Sequence, residues 1–226
     1  MIIKQLAVPK SNDQSFQMRR DYYPKHQSIW HYHEEVELVF VIKGSGTLFI
    51  GDRIKNFQPG GLVLIPSQIP HYWFFDQNEA SKELTEPIDC IVIHFKNDFG
   101  IEKFLNAPEM SQIKSLLDLS SRGKYIQNCG FSPLENMIQN CLHTTGFKKL
   151  FYLSEVLGSI SDLKSEELIS KNYSILNHSR DQFRMNNLMD YIRKNYKHKI
   201  MLNDLARVAD MTENSFCRYF KQKTGK

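Results

Sequence analysis

The apolar rhythm of the chain changes near residue 100. Before that point, short runs rich in Val, Ile, Phe, Tyr and Trp are divided by turn-forming residues. Residues 36–42, 47–50, 62–65, 72–75 and 88–95 are the clearest, with breaks at Lys43-Gly44-Ser45-Gly46, Gly51-Asp52 and Pro59-Gly60-Gly61. Many short strands at close spacing predict a β-barrel or sandwich. After residue 100 the period becomes helical. Leu134, Met137, Ile138, Cys141, Leu142 and Thr145 recur at three- and four-residue steps behind Ser132-Pro133-Leu134-Glu135, a cap, a first-turn proline and a capping-box acid. Gly146 breaks that helix, and Leu150, Leu153, Leu157 and Ile160 mark a second, antiparallel one. The polar stretch 161–180 reads as a linker.

The last segment carries three further apolar stripes. Met185, Leu188, Ile192 and Tyr196 lie on one helix, and Leu202, Leu205, Ala206 and Ala209 on a second. After an Asp210-Met211-Thr212 turn, Phe216, Tyr219 and Phe220 lie on a third that Thr212 can cap. This is a helix-turn-helix pattern. Its third helix leaves Glu213, Asn214, Cys217, Arg218 and Lys221 outward. Asn and Arg suit bidentate reading of base edges, and Lys suits phosphate contact. The expected fold class is therefore α+β: a barrel over 1–99, a helical segment over 100–179 and a helix-turn-helix unit over 180–226.

Charge sharpens the last assignment. The whole chain of 226 residues is +4, but residues 180–226 carry eleven Lys and Arg against five Asp and Glu, leaving the rest net negative. A basic terminal segment is what phosphate neutralisation requires. The four cysteines, Cys90, Cys129, Cys141 and Cys217, show neither CxxC nor finger spacing, so no disulfide framework or zinc finger is implied. No apolar run approaches membrane length and the start lacks a signal-peptide pattern, so a cytoplasmic protein without membrane partners is expected.

Candidate chemistry lies in the β region. In His31-Tyr32-His33-Glu34-Glu35-Val36-Glu37, the residues His31, His33 and Glu37 share strand parity and would project from one face. Gly60, Pro66 and His71 form a second pattern, G-x5-P-x4-H, on a strand that could lie beside the first. Three imidazoles and a carboxylate suit zinc, nickel, iron or manganese. The same residues could instead line a pocket and hydrogen-bond an organic effector, with no metal required. Tyr22, Trp30, Trp73 and His94 either join that lining or belong to the core.

These stretches resemble the two motifs of the cupin superfamily, G-x5-H-x-H-x3,4-E-x6-G and G-x5-P-x-G-x2-H-x3-N. From His31 to Gly44 the first matches throughout, while Lys25 stands at its leading Gly; in the second, Gln68 replaces Gly and Phe75 replaces Asn. The resemblance implies that His31, His33, Glu37 and His71 occupy metal-ligand positions. Residues 192–225 resemble the first helix-turn-helix of AraC/XylS-family regulators. Leu205-Ala206, Ala209, Met211-Thr212, Phe216, Arg218, Phe220-Lys221 and Gly225 stand at that family's motif positions, whereas Met201 replaces its usual Ser or Thr cap, so that helix two is expected at Asn203. The resemblance implies Asn214, Cys217 and Arg218 at the bases and Lys221 and Lys223 near phosphate. It also implies double-stranded DNA as partner, a small effector such as a sugar or other metabolite in the barrel, a homodimer, no catalysis, and a second helix-turn-helix unit that would follow Lys226. The competing expectation is a metal-dependent cupin enzyme of dioxygenase or isomerase type.

Overall fold

The computed structural model describes residues 4–9, 13–22, 29–76, 88–99, 101, 103–130, 133–171, 173, 178–196 and 198–224, without the side chains of 178–183, 186, 193, 223 and 224. Strands β1 (Lys4–Gln5), β2 (Phe16–Tyr22), β3 (His31–Tyr32), β4 (Val36–Lys43), β5 (Gly46–Ile50), β6 (Arg53–Phe57), β7 (Leu62–Ile65), β8 (His71–Phe75) and β9 (Asp89–Phe95) are followed by helix α1 (Ser111–Leu119). Then come β10 (Lys124–Ile126), α2 (Pro133–Leu142), α3 (Gly146–Ser161), β11 (Glu166–Glu167), α4 (His178–Asn195), α5 (Leu202–Val208) and α6 (Glu213–Thr224). The fold is α+β, with two sheets followed by helices. One sheet runs β1-β3-β8-β5-β6 and the other β11-β10-β7-β4-β9-β2.

The apolar strands read as nearly continuous runs because the six-stranded sheet is covered on both faces. Along β4, β7 and β9, Leu38, Phe40, Leu62, Leu64, Ile91, Ile93 and Phe95 face outward and meet Leu134, Ile138, Cys141, Leu153, Val156, Leu157 and Ile160 of α2 and α3. The alternate residues Val39, Val41, Val63, Ile65, Cys90 and Val92 face the other sheet, packing on Leu48, Ile50, Phe57, Trp73 and Phe75. By the same parity Glu37 and His94 face inward, directly opposite each other across β4 and β9. The α2 cap proposed for Ser132 lies outside the described residues. Gly146, with φ of 60°, opens α3 at the break read from the sequence.

Three expectations change. Residues 161–180 are not simply a linker, because β11 pairs with β10 and Leu168 and Ile169 are buried between the sheets. Ser170 fastens the segment by donating to Asp52 at 2.5 Å. Two apolar residues suffice to hold a polar stretch when they reach an existing core. In the last segment, Leu188, Ala206, Ala209 and Phe216 form a small core with Leu205, Met211, Tyr219 and Phe220 around it. Helix α5 begins at Leu202, not Asn203, with Met201 at the cap position making no side-chain cap bond. Leu202 is correspondingly 41% exposed rather than buried, since its place on the first turn lies outside that core. Thr212 Oγ1 accepts from the Ser215 N–H at 3.3 Å and caps α6. The segment leans on the five-stranded sheet: the Phe74 and Tyr196 rings are 6.3 Å apart, and Met185 and Met189 of α4 line a narrow space with Trp30 and Phe49.

Candidate functional site

The four motif residues converge, but not by riding one strand. The chain leaves the five-stranded sheet after β3, bends at Glu34–Glu35, and enters the six-stranded sheet as β4. His31 therefore belongs to one sheet, Glu37 to the other, and His33 to the crossing. His71 pairs directly with His31 across β3 and β8. Strand parity alone does not produce the cluster; the approach of the two sheets does. One potential ligand atom from each of His31, His33, Glu37 and His71 lies within 4.8 Å of the others, and all four residues are buried.

The turns that aim these residues need left-handed backbone. The motif glycines Gly44 and Gly60 have φ of 94° and 78°. Gln68, standing where the motif has Gly, adopts φ of 63° all the same, and its N–H donates to the His33 carbonyl at 2.8 Å. The local shape of the motif survives the replacement at the expense of backbone strain.

Hydrogen bonds to backbone carbonyls fix which nitrogen each imidazole presents. His31 Nδ1 donates to Ile29 O at 2.6 Å, His33 Nδ1 to Glu35 O at 2.8 Å, and His71 Nδ1 to Ile69 O at 2.9 Å. A carbonyl only accepts, so each Nδ1 carries its proton and each Nε2 is turned to the cluster. His71 Nε2 and Glu37 Oε1, 3.7 Å apart, are buried without a hydrogen-bond partner. Burial and the neighbouring His71 push the His31 imidazole down to about 4, so it is neutral near pH 7. Burial opposes ionisation of both His33 and Glu37; the hydrogen bond to Glu37 at 3.2 Å outweighs it for His33 and raises that imidazole, while for Glu37 the neighbouring His71, followed by the contacts with His33 and His94, holds the carboxyl well below its usual range. A buried donor set of this kind could hold a metal ion.

His94 is a different kind of neighbour. Arg19 Nη1 lies 3.3 Å from its Nδ1, and a guanidinium only donates, so Nδ1 accepts and the proton sits on Nε2. That N–H donates to Glu37 Oε2 at 2.8 Å. His94 thus orients the carboxylate and is not itself poised as a ligand. The sequence signal for it was a lone histidine of inward parity in the apolar strand Asp89–Phe95. The remaining lining candidates go elsewhere. Tyr22 is 61% exposed at the opposite end of β2. Trp73 fills the inter-sheet core against Phe57, and Trp30 lies on the α4 side of the sheet.

At the other end of the chain, Asn214, Cys217, Arg218 and Lys221 are all exposed on α6, opposite buried Phe216, while the Lys223 side chain lies outside the described residues. Among the described residues no helix is long and apolar enough to cross a membrane.

Residues 18–85 match the cupin domain. No curated protein is detected as a sequence relative. Several solved structures are similar at low identity. An apo ToxT variant from Vibrio cholerae strain SCE256 is 11% identical, with 96% of each chain covered and a TM-score of 0.44. The AraC-like transcriptional activator CuxR is 10% identical over 92% of this chain and 67% of its own, with a TM-score of 0.33. A putative mannose-6-phosphate isomerase from Ralstonia eutropha JMP134 is 17% identical over 36% of this chain and 75% of its own, with a TM-score of 0.28. All three scores fall below 0.5, too low to carry a functional assignment. The span that matches the cupin model contains β3 and β8, which carry His31 and His71, and Glu37.

Proposed function

We propose that the chain is a ligand-responsive transcription regulator, with an effector-sensing cupin unit over 1–99, a helical segment over 100–179 that contributes to a homodimer, and a DNA-reading unit over 180–226. The observation that carries this reading is α6: a capped helix with a buried Phe216 face and an outward face of Asn214, Cys217, Arg218 and Lys221, in a net-basic segment. An effector with different affinity for two arrangements of sensor and reader shifts their populations, and no catalysis is needed. The donor set fits a divalent ion on two grounds, its orphaned buried atoms and its three Nδ1-anchored imidazoles. His31, His33, Glu37 and His71 would hold such an ion, which supplies a Lewis-acidic point for an oxygen or nitrogen ligand. The same donor set is what favours the second reading, a metal-dependent cupin enzyme, for which an exposed DNA-reading helix has no use.

The deciding experiment is DNA titration of this chain against a selected site and a scrambled duplex at two salt concentrations. Arg218→Ala should cost about 1 to 3 kcal/mol on the site and relax preference at one base position. Lys221→Ala should weaken both duplexes alike and lessen the salt dependence. Unchanged affinity and preference in Arg218→Ala would show that α6 is not the reading helix.

A further inference from the structure

His31 and His71 stand directly opposite each other on β3 and β8, and the residue beside each turns to the other face of the five-stranded sheet. On that face both lead to one place. Trp30, beside His31, lines the narrow space under α4 with Phe49, Met185 and Met189. The Phe49 ring in turn lies 5.7 Å from that of Tyr72, beside His71. Trp30 Nε1 is buried and, among the described residues, has no hydrogen-bond partner. An unmet indole N–H is a cost that water relieves when the helix lifts, so this seat of α4 is one the chain can leave. The other two donors lie across the gap, Glu37 on the six-stranded sheet and His33 on the crossing. An ion held by all four would tie the two sheets together at the strands that carry α4.

We propose that the effector is the divalent ion itself, and that Trp30 and Phe49 pass the occupancy of the cluster to Met185 and Met189 of α4. The proposal rests on the sensing half of the regulator reading and on the fit of the donor set. It needs no organic ligand in the inter-sheet space, where Trp73, Phe57 and Phe75 pack. With the donors tied, His31 and His71 lose freedom to move apart. Trp30 and Tyr72, joined to them by planar peptides, then hold the seat under α4 in one arrangement. With the donors untied, β3 and β8 part more readily and α4 lifts more often. The docked arrangement therefore binds the ion more tightly, which is the differential affinity that a population shift requires.

The test is native-state hydrogen exchange of the full chain, stripped of metal and then given excess zinc, with zinc affinity measured by chelator competition on the same samples. Zinc should slow exchange of the α4 amides about fivefold or more, the lower end of ordinary coupling between sites. His71→Ala should abolish both zinc binding and this slowing. Met185→Ala combined with Met189→Ala, remote from the donors, should bind zinc as tightly as the unsubstituted chain and protect β8 to the same extent, while α4 no longer responds. A general tightening of the fold would instead protect α4 in that variant too, and would overturn the proposal. Should the double variant fail to fold, Met189→Ala alone decides, and its α4 response should be diminished at unchanged zinc affinity. Zinc binding that leaves α4 exchange unaltered in the unsubstituted chain overturns the proposal, and absence of zinc binding overturns it together with the metal reading. The experiment contains no DNA, so the reading of α6 succeeds or fails separately.

Discussion

Replacing His94 by Leu tests whether the cluster is a metal site and whether its carboxylate is oriented from behind. Glu37 Oε2 is approached by two donors, His33 Nε2 at 3.2 Å and His94 Nε2 at 2.8 Å. Were a divalent ion held here, His33 would ligate it through the Nε2 lone pair and could no longer donate to Glu37. Among the described residues, His94 is then the remaining donor to that oxygen. Removing such an outer partner typically costs 10- to 100-fold in metal affinity, so His94→Leu should weaken binding by about 1.4 to 2.7 kcal/mol. His94→Gln, which keeps an N–H donor, should recover part of the loss. Chelator competition with zinc on protein stripped of metal measures all three proteins. If the unsubstituted chain binds no zinc, the metal reading falls. If it binds zinc and His94→Leu binds it equally well, the orienting role of His94 falls instead.

Other substitutions probe the scaffold. Leu157→Ala, at a fully buried position between α3 and the six-stranded sheet, should cost about 2 to 5 kcal/mol in urea unfolding, and a loss under 1 kcal/mol would mean that the helices do not pack as described. Gln68→Gly should stabilise by about 1 kcal/mol through relief of its left-handed backbone, and destabilisation would contradict the observed φ. Phe147 and Phe151, 78% and 52% exposed one turn apart on α3, offer an apolar patch for the proposed homodimer. Replacing both with Asp should convert a dimer into a monomer by sedimentation, and an unaltered dimer would move the interface elsewhere.

Much of this architecture was legible in the residue pattern, for identifiable reasons. Strands β4, β5, β7, β8 and β9 are legible because their apolar runs stand between turn residues, and α2 because its capping box and period agree; β2 and β6 are not, because Arg19, Arg20 and Asp21 in one and Arg53, Lys55 and Asn56 in the other break up any apolar run. Helix α1 and strand β10 were not read, since Ser111–Leu119 mixes two buried residues, Ile113 and Leu116, with solvated ones and Lys124–Ile126 is too short to alternate. Strand β11 was hidden in a polar stretch whose anchors, Leu168 and Ile169, are adjacent and therefore aperiodic. The four histidine and glutamate positions were found by spacing, while the bend between β3 and β4 was not, because parity counts the same across a break.

Strand β8 is five residues long and has two audiences. His71, Trp73 and Phe75 are buried between the sheets, while Tyr72 and Phe74 alternate to the outside, where the Phe74 ring meets Tyr196 just beyond α4. Neighbouring residues of a strand are joined by stiff planar peptides, so β8 cannot shift to accommodate a change at His71 without carrying Phe74 along. Between the inter-sheet residues of β8 and the residues next to α4 there is then only the thickness of one sheet. If the chain is the regulator proposed above, communication between its two ends needs no long wire, and it should be most sensitive to the residues that hold β8 in register with β5.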